Sequence, residues 1–163
     1  MKGADLPRII AALKGPIDVF VRDARVRVSL LINRSGQVLA QHGFTSSYEV
    51  MNVATLAAAA HASSRALADL TQSGGWTHLH HAGKRHELFL ATIGTPVEPL
   101  ILVTIFDTES SLGLVQFFFH QLAERVAGLP ELQSVRASAD QKSFEQDLEA
   151  GVERAFGNAR RES

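Results

Sequence analysis

The chain has 163 residues, 45% of them apolar and 20% charged, with a formal net charge of −1 and no cysteine. That length closes one hydrophobic core, and the near-neutral balance leaves no basic field to recruit nucleic acid. The lack of cysteine excludes disulfides, thiol nucleophiles and cysteine-based metal or cluster sites, and is compatible with the cytoplasm, where we expect the protein.

Residues 6–14 carry Leu6, Ile9, Ile10 and Leu13, one helical stripe. The run is too short for a membrane span and is followed by Gly15 and Pro16 without a small-residue cleavage pattern, so neither a signal peptide nor direct membrane insertion is expected. Gly15-Pro16 is expected to break the helix, with Pro16 starting a second piece that buries Ile17 and Phe20. Residues 25–33 begin in strict alternation, with Val26, Val28, Leu30 and Ile32 on one face. Arg34-Ser35-Gly36 is a turn signal and residues 37–43 are the returning strand, so the segment predicts a hairpin.

A long helix follows over residues 48–71, with Ser46 or Ser47 as N-cap, Glu49 in its first turn and Ser73-Gly74-Gly75 as its stop. Residues 76–82 and 85–93 alternate as strands around a turn at Gly83-Lys84. Residues 100–106, LILVTIF, are apolar on both faces except for Thr104, which places them in the middle of a sheet covered on both sides. Residues 107–111 offer several N-caps, and residues 112–129 form a helix burying Val115, Phe118, Phe119, Leu122 and Val126. Residues 130–140 read as a polar tether. Beyond it, Phe144, Leu148, Val152 and Phe156 recur every four residues in an amphipathic helix, which either docks back on its own domain or waits for a groove on a partner. The expected architecture is α+β: a five-stranded antiparallel sheet with helices on both faces, over residues 1–129, then the tether and a C-terminal helix and tail over residues 141–163.

The long helix is the unusual element. Val53, Leu56, Ala60, Leu67 and Leu70 recur at helical spacing and are expected to face the core. The other side, with Thr55, Ala58, Ala59, Ala62, Ser63 and Ala66, is made of small side chains, with Arg65 and Asp69 its charges. A solvated helix face normally carries Lys and Glu. Alanine is also the best helix former, but a broad alanine surface lets another backbone come close, and we read it as a protein–protein surface. The strand over residues 76–82 would be an edge, yet it holds no Lys or Pro to blunt it, so a strand of another chain would satisfy its backbone.

His78, His80 and His86 lie near one another along this strand and the next, a pattern that would suit a metal, but no further ligand stands at diagnostic spacing and a polar strand face is the simpler reading; no metal is expected. His61 and His120 read as partly buried structural residues. No G-x-S-x-G turn, Ser/His/acid set or phosphate-cradling glycine loop is present, so neither catalysis nor a cofactor is expected.

The order of elements, the strand–turn INRSGQVL (residues 32–39), HHAGKRHELFLATIG (residues 80–94) and above all VTIFDTESSLGLVQ (residues 103–116) resemble the Roadblock/LC7 family. The resemblance implies a homodimer in which the third strand pairs with its copy, here Trp76, Thr77, His78, Leu79 and His80, and the long helices lie side by side. It further implies that the helix pair, here Thr55, Ala58, Ala59, Ala62, Arg65 and Ala66, binds one small Ras-like GTPase of the MglA type, with Phe144, Leu148, Val152 and Phe156 contributing from the C-terminal helix. In that setting GTP hydrolysis is stimulated without a catalytic residue supplied in trans, in a process such as cell polarity or motility. A scaffold that only localises its partner and, from another class, a histidine-cluster metal protein are the alternatives.

Overall fold

The structure, a computed structural model, describes residues 5–157; the side chains of Tyr48, Ala137, Ser138 and residues 151–157 fall outside that description. The order is α1 (Leu6–Ala24), β1 (Val28–Asn33), β2 (Val38–His42), α2 (Ser47–Leu70), β3 (His78–Ala82), β4 (Glu87–Ile93), β5 (Leu100–Phe106), α3 (Leu112–Ala127) and α4 (Pro130–Gly157). The strands form one antiparallel sheet in the order β2-β1-β5-β4-β3. The apolar β5 is therefore central, as its two-sided hydrophobicity requires.

Alternation along each strand sends side chains to two separate cores. Leu31, Leu39, Phe89, Ala91, Ile93, Leu102 and Phe106 pack under α1 and α3. Leu30, Ile32, Leu90, Ile101 and Val103 pack under α2 with Ala54 and Ala57. Helices thus cover both faces. The FDTESS segment joins α1 and α3 on their shared face: Asp107 Oδ1 accepts from the Glu109 N–H at 3.0 Å, Ser110 Oγ donates to the Ala24 carbonyl at the end of α1, and Ser111 Oγ accepts from the Leu114 N–H to cap α3. The Asp107 carboxyl is held below the usual carboxylate range by that Glu109 N–H and then by the Arg27 guanidinium.

Three expectations about elements are corrected. α1 runs through Pro16 without a break. A proline inside a helix costs about 3 kcal/mol, but Ile9, Leu13, Ile17, Phe20 and Ala24 form one continuous buried stripe across it, and each such side chain returns roughly 1.5–3 kcal/mol on burial. Residues 130–140 are not a tether: they are the first turns of α4. Leu132 is fully buried and Val135 packs against the core beside it, so the polar composition of this stretch belongs to the outer side of a docked helix turn. The third strand begins at His78, where His78 pairs with Ala91; Trp76 and Thr77 precede it, because Gly74 and Gly75 at φ 73° and 99° bring the chain to β4 only at that point.

One buried polar atom stands out. Ser29 is fully buried on β1, and among the described residues its Oγ has no hydrogen-bond partner. An unpaired buried hydroxyl carries its full desolvation cost. Ser29→Ala should therefore raise stability by about 1 kcal/mol, measured as a shift of the urea midpoint at unchanged slope; a lowered midpoint would show that the hydroxyl is satisfied.

Candidate protein interaction site

α2 starts where Ser46 Oγ accepts from the Glu49 N–H at 3.2 Å. Its inward side is made mostly of small groups: Ala54, Ala57 and Ala68 are buried, with His61 the one large side chain buried among them. The β1–β2 turn fits against this side, and a Cβ placed on Gly36 would lie 3.6 Å from both the Ala54 carbonyl oxygen and Ala58 Cβ. With alanines facing inward the helix lies close to the hairpin, and the leucines are rotated away from it. This corrects the expected inner face. Val53 and Ala60 are half-buried, whereas Leu56, Leu67 and Leu70 are 70%, 51% and 80% exposed. The clue was in the spacing: Ala60 and Ser63 interrupt the leucine stripe where a core stripe would carry bulk.

α2 therefore shows two strips outward. One holds the expected small residues: Thr55, Ala59, Ala62, Arg65 and Ala66 are exposed and Ala58 is half-buried. The other holds Leu56, Leu67 and Leu70, which sequence reasoning had placed inside. The helix lies over β1, β2 and β5. It leaves Leu79 and Leu88, on the β3–β4 half of the same sheet face, half-buried, with Trp76 48% exposed beside them.

β3 is an edge of the sheet, paired on one side with β4. Its His78 and His80 are engaged with neighbours rather than with one another. His78 stacks on Phe89 at 5.3 Å and lies 3.2 Å from Gln116 Nε2; His80 Nε2 is 2.6 Å from Glu87 Oε2, and its ring stacks on Phe106. Among the described residues no three histidine or carboxylate side chains are placed to hold a metal. His120 is exposed, not partly buried as expected.

His61 lies at the floor of a 290 Å³ cavity between the second half of α2 and the β3–β4 edge, with Ser64, Trp76, Leu79 and Thr92 around it. Its Nε2 is 2.9 Å from Thr92 Oγ1, and burial lowers its pKa below the ordinary value. The folded state therefore binds fewer protons at this site than the unfolded chain. The stability that the neutral imidazole contributes is fully present above about pH 6.5, the unfolded value, and falls as the pH drops below it. Between pH 7.5 and 5.5 the wild type should lose more thermal stability than His61→Gln; equal losses would show that His61 does not carry this dependence.

α4 has two parts. Its first turns dock on the core, while every residue with a described environment from 139 to 150 is exposed. Phe144 and Leu148 are 69% and 57% exposed on that distal part, so over this stretch the helix does not fold back on its own domain. Val152 and Phe156 continue the same helix, but their side chains lie outside the described residues. No helix among the described residues is long and apolar enough to cross a membrane.

The Roadblock/LC7 domain profile matches residues 17–106, from the middle of α1 to the end of β5. The chain belongs to the Roadblock/LC7 family. Among solved structures, this Roadblock/LC7 chain is similar to Myxococcus xanthus MglB at 26% identity and a TM-score of 0.62, covering 74% of this chain and 92% of that one. It is similar to an MglB with a tetrameric arrangement at 28% identity and a TM-score of 0.62, over 82% and 94% of the two chains. The gliding protein MglB of Thermus thermophilus matches at 27% identity and the same TM-score of 0.62, over 82% and 95%. A search of curated proteins returns no match. The Roadblock/LC7 family and fold are thus as the sequence motifs implied.

Proposed function

We propose that this protein is a homodimeric regulator that binds a small Ras-like GTPase of the MglA type in the cytoplasm and stimulates its GTP hydrolysis without supplying a catalytic residue, as part of cell polarity or motility. The observation that carries the reading is the outward side of α2. A helix at the centre of a Roadblock/LC7 domain similar to MglB turns both its leucines and its alanine strip to the surface.

The two strips suit two uses. Leu56, Leu67 and Leu70, with the half-buried Leu79 and the unpaired edge of β3, suit a second copy, whose β3 would satisfy the free edge from Trp76, Thr77 and His78 through Leu79 and His80. Thr55, Ala58, Ala59, Ala62, Arg65 and Ala66 suit the GTPase, and Phe144, Leu148, Val152 and Phe156 of α4 add a second contact. A stable interface buries on the order of 1,200–2,000 Å² in total, an area that a helix strip and an outlying helix can supply together.

The test is single-turnover GTP hydrolysis by a purified MglA-type GTPase with and without this protein, beside a sedimentation measurement of the protein alone. The reading expects a dimer and a faster turnover. Binding with unchanged turnover would leave a scaffold; a monomer at high concentration would overturn the dimer. Arg65→Ala should retain most of the stimulation. An arginine finger contributes roughly 10³–10⁵ in rate, so a loss of that size would assign a catalytic arginine after all.

A further inference from the structure

Arg65 is not the one cation beside the alanine strip. The β1–β2 turn brings Arg34 to the same place, and Arg34, Ala58, His61, Ala62, Arg65, Ala66 and Asp69 line one open groove of about 320 Å³. Among the described residues neither guanidinium has an ion-pair partner. The turn that carries Arg34 is tightly held. Asn33 Oδ1 accepts from the Ser35 N–H at 3.1 Å, from Ser35 Oγ at 2.8 Å and from the Gln37 N–H at 2.9 Å, while the Gly36 N–H donates to the Asn33 carbonyl at 3.0 Å. Asn33 itself is buried. The position of Arg34 beside α2 is therefore fixed by the backbone before any partner arrives.

We infer that this groove is a docking site for an acidic segment of the partner, with carboxylates received by Arg34 and Arg65 over the alanine floor. The inference rests on the reading of α2 as the GTPase-binding helix and adds the chemistry of what it takes. Arginine is the residue suited to such a contact: its planar fork binds carboxylate in two-point fashion and is less strongly hydrated than an ammonium. Between the two arginines Ala58, Ala62 and Ala66 present only methyl groups, and His61, the other uncharged lining residue, is buried with its Nε2 2.9 Å from Thr92 Oγ1, so an incoming carboxylate has a low surface across which to reach both guanidinium groups. Asp69 at the end of the groove sets a direction, since a carboxylate next to it is repelled and a cation is favoured. Charge pairs of this kind act mainly on association rate and selectivity and are screened by salt.

The experiment measures binding of the purified MglA-type GTPase to the full-length chain at low and high salt for wild type, Arg34→Glu, Arg65→Glu, the control Arg8→Glu on α1, and Ala62→Arg. Each groove reversal is expected to weaken association about tenfold at low salt and to flatten its salt dependence, with Arg8→Glu unchanged. Should either reversal fail to fold, Arg34→Gln and Arg65→Gln read the same effect at smaller size. If Ala62→Arg abolishes binding while the groove variants bind as wild type, the helix is the binding surface and the acidic complement is wrong. Tighter binding by the Glu variants overturns it equally, by pointing to a basic partner. No binding by the wild type overturns both readings.

Discussion

Ala62→Arg is expected to leave a folded protein that no longer binds the proposed GTPase partner. Ala62 is exposed on α2, one turn from Ala58 and Ala66 on the small-residue strip. Arginine is a good helix former, and an exposed substitution of this kind usually changes stability by less than about 0.5 kcal/mol. The effect is felt by the partner. A guanidinium on a long stem stands where a backbone would lie against a methyl group, and changes at the few central positions that dominate an interface cost about 2 kcal/mol or more. We expect association to fall by about 100-fold or more, which corresponds to roughly 2.7 kcal/mol. Ala59→Arg, also exposed, tests the same strip. Circular dichroism and titration against the GTPase check the pair of outcomes. Binding at wild-type affinity would move the partner surface off α2, and an unfolded variant would show that Ala62 is needed inside.

Two truncations of α4 should behave differently. Removing residues 139–163 takes away a stretch whose described residues are exposed. The thermal midpoint should hardly move, while association with the GTPase weakens. Removing residues 130–163 also removes Leu132, which is fully buried, and Val135, which packs on the same core. A buried leucine cut to alanine costs about 2–5 kcal/mol, so this deletion should destabilise the domain by at least that much. Chemical denaturation of both truncations decides between a docked helix base and a free linker: similar midpoints would return residues 130–140 to the role of a tether. Unchanged binding by the shorter deletion would make the distal helix a bystander.

Much of this architecture is written in local patterns. The hairpin follows from alternation on either side of Arg34-Ser35-Gly36, and Asn33 supplies the side-chain bonds that close the turn. The central place of β5 follows from LILVTIF being apolar on both faces. The caps at Ser46 and Ser111 come from the candidates that residue type picked out, since a short hydroxyl oxygen accepts from an orphan helix N–H. Pro16 misled because local cost was weighed without the buried stripe that carries α1 across it. The polar residues 130–140 misled because a docked helix needs only Leu132 and Val135 inward, too few to register as a periodic face.

The rotation of α2 is the deepest of these differences. By itself the sequence determined the five strands and their order, the two-sided sheet and the presence of a helix rich in small side chains, because these show in patterns along the chain. Which side of that helix meets the sheet was decided by tertiary structure. Leucine outranks alanine in transfer free energy, so a pattern of spacing assigns Leu56, Leu67 and Leu70 to the core. In the folded protein the β1–β2 turn lies close to α2 at Ala54 and Ala58, where a Cβ on Gly36 would already be in van der Waals contact with both, so small side chains on the helix allow this approach. Close packing thus overrides hydrophobicity at this contact and turns the leucines outward.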